Sequence, residues 1–223
     1  MSLGVALATV DQAQQRVPCR RAPGPQRRLE DDAEPDAVAL AERLVAVAGL
    51  ATIIIEPALR ITARPLHRLR DTLLGGGRVH VLAPCTHAAP CPMLADERDW
   101  CHEARPASLP PRSAKVAATT GLRDGDLKFA YLLLRPATAA PVARDRLRVV
   151  SAPLPQKGKL ELWVCGPDGR RKLRVLDRHR TDGARAMRAA QRGDELQISP
   201  APDERGDIGA ETTVVRSAIA GPF

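Results

Sequence analysis

Aromatic residues are scarce: two Trp, two Phe and one Tyr stand among 223 residues. A core must therefore be built from Ala, Val, Leu and Ile, and the stacking platforms on which single-stranded nucleic acids lie are nearly absent. Long hydrophobic runs are missing too. The longest, Leu44 to Ile55, contains Gly49 and falls well short of the roughly 20 residues that cross a bilayer, so no membrane partner is expected. The apolar stretch Leu3 to Val10 has no basic residue before it and Asp11 directly after it, a poor match to a secretory signal. Five cysteines, an odd number without an export signal, argue against a disulfide framework and for a reducing compartment. Acidic charge is the minority, 26 Asp and Glu against 34 Lys and Arg, a net charge of +8.

Residues 1–35 carry Pro18, Pro23, Pro25 and Pro35 with mixed charge and no apolar periodicity, and read as a disordered leader. Arg16, Arg20, Arg21, Arg27 and Arg28 precede the first Glu, which leaves an organelle transit peptide as the alternative. From Asp36 the pattern changes. Asp36 caps a predicted helix with Val38, Leu40, Leu44, Val45 and Val47 at three- and four-residue spacing, closed by Gly49. Ala51 to Ile55 reads as a strand covered on both faces. A second helix is expected from about Thr62, with Pro65 in its first turn and Leu66, Leu69 and Leu73 on one face. Gly75-Gly76-Gly77 stops it, and Arg78 to Ala83 reads as another strand. The alternation of helix and strand over 36–84 predicts a parallel α/β sheet.

Residues 85–126, rich in Pro, Cys, His and charge, are expected to form a functional loop or a small metal-stabilised unit. Asp126 to Arg135 reads as a strand returning to the sheet. Leu147–Ser151, Lys159–Cys165 and Lys172–Leu176 read as strands, the last two joined by the turn Gly166-Pro167-Asp168-Gly169. A short helix is expected over Ala184–Gln191 and a loose, polar tail from Ser199. The domains expected are thus the leader 1–35, an α/β domain 36–140, a basic β-rich domain 141–198 and the tail 199–223.

Cys85, Cys91 and Cys101 lie in Pro- and His-rich sequence, and Cys165 follows at the end of the predicted hairpin strand. Four thiolates complete a zinc site or an iron–sulfur site. Structural zinc favours closer pairs, whereas these wider gaps suit a larger cluster in a loop. His87 and His102 are alternative ligands or partners of the ligands. Cys19, in the leader, has no companion.

The run Val81-Leu82-Ala83-Pro84-Cys85-Thr86-His87, then Pro90-Cys91-Pro92-Met93-Leu94 and Trp100-Cys101-His102, resembles the signature of the methyltransferase-like proteins of the small ribosomal subunit. That family includes a mitochondrial small-subunit assembly factor and its bacterial relatives. The resemblance continues through Asp126–Leu132 and Lys157–Cys165 and covers roughly residues 40–196. It implies a four-iron four-sulfur cluster held by Cys85, Cys91, Cys101 and Cys165. It also implies a partial methyltransferase-type, Rossmann-like fold with a small β-rich basic domain, and as partner the small subunit or its ribosomal RNA. Thr86 stands where the family more usually has Pro. Residues 1–48 contain no strand followed by G-x-G, so the loop that would cradle S-adenosylmethionine is not visible and only the second half of that fold is expected.

From Arg144 to Arg192 there are 14 Lys and Arg against five acidic residues. This block carries the whole positive excess, which suits contacts to RNA phosphates. Lys157, Lys159, Arg170, Arg171, Lys172 and Arg174 are the candidate RNA contacts. The leading expectation is an iron–sulfur protein that binds small-subunit rRNA, a monomer off the ribosome, in a bacterial cytoplasm or, alternatively, a mitochondrial matrix. The alternatives are an S-adenosylmethionine-dependent rRNA methyltransferase and a zinc-stabilised nucleic-acid module. Ser151 and Ser199 have no nucleophile-elbow sequence around them, and no catalytic residue is assigned.

Overall fold

The computed structural model describes residues 6–8, 35–48, 50–120, 126–138 and 146–218. The rest of the expected leader, with Cys19 and Gly49, lies outside the described residues. In chain order the elements are β1 (Ala6–Ala8), α1 (Pro35–Val47), β2 (Thr52–Pro57), α2 (Arg60–Gly75), β3 (Val79–Ala83), β4 (Glu103–Pro106), α3 (Pro111–Thr120), β5 (Asp126–Pro136), β6 (Leu147–Val149), β7 (Leu154–Gln156), β8 (Lys159–Gly166), β9 (Gly169–Leu176), α4 (Asp182–Ala189), β10 (Glu195–Ser199) and β11 (Thr213–Ser217). Two compact units form. The first takes its described residues from Met1–Pro84, Ala88–Trp100 and Ala130–Ala143, the second from Cys85–His87, Cys101–Phe129 and Arg144–Phe223.

In the first unit the core joins Ala41 and Val45 of α1, Ile54 of β2, Ala63, Leu66, Leu69 and Leu73 of α2, Val79 of β3, and Ala130, Leu132 and Leu134 of β5. Leu66, Leu69 and Leu73 lie on one face of α2, as their spacing predicts. The helix begins before Thr62, which puts Pro65 inside it rather than in its first turn. Its missing N–H removes the bond that would reach the carbonyl of Ile61, a well-exposed residue. Gly76 N–H donates to Thr72 and Gly77, at φ +66°, closes the helix. In α1 the buried stripe runs through Ala41 and Val45, while Leu40 and Val47 face outward. Ala37 packs against this core beside Ala41.

The parallel sheet expected over 36–84 does not form. The strand order is β1-β2-β5-β3, so β2 and β3 do not pair. β1 is parallel to β2, but β3 and β4 both run antiparallel to β5. The α2 crossover leaves a gap one strand wide, and β5, with Ala130, Leu132 and Leu134 buried in alternation, fills it from far along the chain. Ala6–Ala8, within the expected leader, is the edge strand beside β2.

The second unit is a six-stranded sheet in the order β11-β10-β6-β8-β7, with β9 on the other side of β8. The β8–β9 hairpin turns where its sequence predicts, Gly166 opposite Gly169, with Gly169 at φ +96°. Leu162, Val164, Leu173 and Val175 of the hairpin pack with Ala184 and Met187 of α4. The Thr181 hydroxyl caps α4 by accepting from the Ala184 N–H at 3.2 Å. Two expectations are corrected. The segment 199–218 is no loose tail: β10 and β11 pair antiparallel, and Ile208 and Val214 join the core. Residues 85–126 are not a continuous loop, because they contain β4 and α3. The edge strand β7 carries Pro155 and is exposed throughout, so nothing in its pattern marks it as a strand.

Candidate functional site

Within the first unit, α2 fixes the loop that carries Cys91. Asp71 accepts from the Cys91 N–H at 2.8 Å. Its neighbour Arg70, 1% exposed, donates to the Ala89 carbonyl at 2.8 Å and to the Asp71 carboxylate. Nearly two turns earlier, the Arg64 guanidinium donates to the carbonyls of Met93, Leu94, Asp96 and Asp99. Three polar residues of one helix therefore hold residues 89–99 through the backbone.

The second unit contains Cys85, Cys101 and Cys165. Cys165 lies near the end of β8, opposite Arg148 of β6 and Arg170 of β9. His87 Nε2 is 3.3 Å from Cys165 Sγ, and Arg148 Nη1 donates to Cys101 Sγ at 3.1 Å. Arg148 thus brings Cys101 to the strand that carries Cys165, and Cys85 is two residues from His87. All four thiols are half-buried, and no disulfide links them among the described residues. Among those residues, no group of three or more His, Cys, Asp or Glu side chains is arranged to hold a metal ion. The donor chemistry nonetheless fits a thiolate-bound group: soft sulfur ligands, an imidazole beside one and an N–H donor on another.

Beneath Cys101 lies an ionic group that sequence reading missed. Glu103, 1% exposed, pairs with Arg105 at 2.5 Å and with Arg148, itself 4% exposed. Arg105 reaches the Arg192 carbonyl at 3.5 Å, and Arg192 donates to the Val150 carbonyl. Burial pushes the Arg192 guanidinium below its ordinary value. The charged sequence Glu103-Ala104-Arg105-Pro106 gives no hint that its carboxylate is interior.

Strand pairing sorts the six basic candidates. Lys159, Glu161, Trp163 and Cys165 alternate onto one face of β8, and Leu176, Arg174, Lys172 and Arg170 of β9 stand opposite them. Arg171, opposite Val164, belongs to the other face. Lys157 sits in the exposed β7–β8 turn. Of the four cations that share the face, Lys159 and Lys172 pair with Glu161 at 2.6 and 3.3 Å, and Arg174 binds Asp207 at 2.5 and 2.6 Å. Arg170 and Lys172 lie over the Trp163 ring, 4.7 and 5.2 Å from its centre. The period-two alternation of a strand, not drawn on above, is the signal that could have set Trp163 among these cations and Arg171 apart.

The Lys159 ammonium, with Lys172 beside it, holds the Glu161 carboxyl below its usual range against the opposing effect of burial. The Arg174 guanidinium does the same for Asp207. A carboxyl depressed in the folded state adds stability above its unfolded pKa of about 4 and loses it as pH falls through the folded value. Thermal melts are expected to hold steady from neutral pH down to about 5 and to drop in more acid solution. Glu161→Gln should flatten that acid limb; an unchanged limb would remove Glu161 from the cause.

Among the described residues no helix is long and apolar enough to cross a membrane. A comparison with curated proteins gives no match to the chain. A family model described as mitochondrial small ribosomal subunit Rsm22 matches residues 28–197, a span that takes in Cys85, Cys91, Cys101 and Cys165 and the whole β8–β9 hairpin. With most of its length matched, the chain belongs to the mitochondrial small ribosomal subunit Rsm22 family.

Proposed function

We propose that this protein acts on the small ribosomal subunit as a methyltransferase-like, rRNA-binding factor that holds a four-iron four-sulfur cluster through Cys85, Cys91, Cys101 and Cys165. The observation that carries the reading is the family match, which spans the four cysteines and the basic hairpin together. The family's description is mitochondrial, so the expected compartment is the mitochondrial matrix, with a bacterial cytoplasm as the alternative. When bound, such a cluster ties its ligating segments together, so that metal-binding energy becomes folding energy. The chain's own residues have separate parts in this. Asp71 and Arg70 orient the Cys91 segment through backbone bonds. Arg148 places an N–H on the Cys101 sulfur, a contact of the kind that tunes the potential of a cluster. The basic face of β8 and β9 meets phosphate.

The nearness of His87 to Cys165 supports a second reading, zinc bound by three thiolates and an imidazole. Anaerobic purification with a visible spectrum and metal analysis separates the two. A brown protein with a broad band near ~400 nm and about four irons per chain is expected, and Cys101→Ser should lose both the colour and several degrees of melting temperature. A colourless protein with one zinc establishes the second reading. Full colour in Cys101→Ser would remove that thiol from the ligand set. Salt-dependent binding of the full chain to small-subunit rRNA tests the RNA half of the reading independently.

A further inference from the structure

The open end of the β8–β9 hairpin, away from its Gly166–Gly169 turn, joins two short segments. The Asp177 N–H donates to the Gly158 carbonyl at 2.9 Å, which sets the β7–β8 turn beside the loop that leads from β9 into α4. Helix α4 holds that loop. Arg188 donates to the carbonyls of Leu176 and His179, both at 2.9 Å, and Arg185 to the Arg180 carbonyl at 2.8 Å. The His179 N–H adds a 3.0 Å bond to the Leu176 carbonyl.

Lys157, Arg178 and Arg180 are exposed on these two segments. Among the described residues none of the three pairs with a carboxylate, and Arg178 reaches the His179 ring at 3.5 Å. They differ in this from Lys159, Lys172 and Arg174 on the hairpin face, which are matched by Glu161 and Asp207. Asp182 pairs with Arg185. Within these segments Asp177 alone is left to oppose Lys157, Arg178, Arg180 and Arg188, whose guanidinium meets neutral carbonyls.

Like charges gathered in one place repel, and a polyanion relieves the repulsion. Residues 156–158 and 177–182 contain no Phe, Tyr, Trp, Leu, Ile, Val or Met. The patch therefore has neither the apolar centre of a protein interface nor a ring on which an unpaired base could stack. Contact with phosphate remains, and it does not depend on base sequence. We propose that Lys157, Arg178 and Arg180 grip the phosphate backbone of an RNA helix in the small subunit. The proposal rests on the rRNA-binding reading and places a contact at the open end of the hairpin. A helix is the occupant because two strands present twice the phosphate charge of one along the same length.

The test uses the full chain and, as probe, a hairpin stem taken from small-subunit rRNA. Lys157→Gln, Arg178→Gln and Arg180→Gln together should lower the salt slope of binding by about 2.7, with each single replacement contributing about 0.9. Near 0.1 M salt the triple variant should bind roughly a few hundredfold more weakly. A stem of shuffled sequence should show the same loss. Melting should not change, because Arg185 and Arg188 still hold the loop. Arg178→Lys with Arg180→Lys keeps the charge and should keep the slope. Arg112→Gln with Lys115→Gln removes two exposed cations of α3 and should leave binding unaltered. If the unaltered chain binds the stem and the triple variant retains its slope, the patch is overturned and the broader reading stands. An equal loss per charge from the α3 variant also overturns the patch. Tighter binding to a single strand of the same length overturns the helix as occupant, and equal affinity for polyglutamate of matched charge overturns RNA. No binding of small-subunit rRNA by the unaltered chain overturns both the patch and the reading beneath it.

Discussion

Glu103→Ala is expected to destabilise the protein by about 3–5 kcal/mol, the usual cost of breaking a buried ion pair from one side. For a chain of this size that lowers the melting temperature by roughly 6–20 °C. Glu103 is 1% exposed and its carboxylate faces the guanidinium groups of Arg105 and Arg148. Removing it leaves Arg148, 4% exposed, as a buried cation without its counter-charge. Room for the group comes from Gly193, at φ +92°, where a Cβ would meet the Glu103 carboxylate and the Arg105 guanidinium. The paired replacement Glu103→Met with Arg148→Met should recover much of the loss, because it removes both charges together. A Glu103→Ala melt within about 2 °C of the unaltered protein would show that water reaches the pair and that Arg148 does not depend on it.

Gly206→Ala is the second large effect, about 2–4 kcal/mol, from two sources. Gly206 has φ +73°, where a side chain costs about 1–2 kcal/mol. A Cβ there would also fall on the Lys172 carbonyl oxygen, so the backbone must move. The backbone bonds at risk hold residues 206–208 along the edge of β9: Arg174 N–H to the Gly206 carbonyl and Ile208 N–H to the Arg174 carbonyl, both 2.8 Å. Each is worth about 1 kcal/mol. Amide exchange should quicken at Arg174 and Ile208 first, while Leu162 and Val164 stay protected. Uniform acceleration across the second unit would mean that the turn unfolds only with the whole sheet.

The features legible in the sequence are those fixed by neighbours in sequence. The β8–β9 hairpin needs only alternating strands and a Gly-Pro-Asp-Gly turn, and it forms at that position. The face of α2 follows from the spacing of Leu66, Leu69 and Leu73. Pairing over long distances is not local in this way. Helix–strand alternation over 36–84 says nothing of a strand arriving from residues 126–136 to lie between β2 and β3. Ile208 and Val214 are isolated apolar residues in polar sequence, so their burial depends on β9, β10 and α4 and not on any pattern of their own. At the site, the cysteines announce themselves by type, whereas Glu103 and Arg148 look like surface charge until the fold buries them. Arg170, Arg171 and Lys172 read as one cluster, yet the period of a strand sends the middle one to the opposite face.

The threading of the chain through its two units bears on how it is made. Val79 and His80 of β3 pair with Pro136 and Arg135, and the chain between them supplies Cys101, β4 and α3 to the other unit. During synthesis at about 5–20 residues per second, β3 emerges several seconds before the strand that completes its ladder. Cys85, Cys91 and Cys101 likewise emerge before Cys165. For that interval the nascent chain presents an unpaired strand edge. Chaperone occupancy is therefore expected to centre on the release of β5 from the exit tunnel, rather than on the first helices.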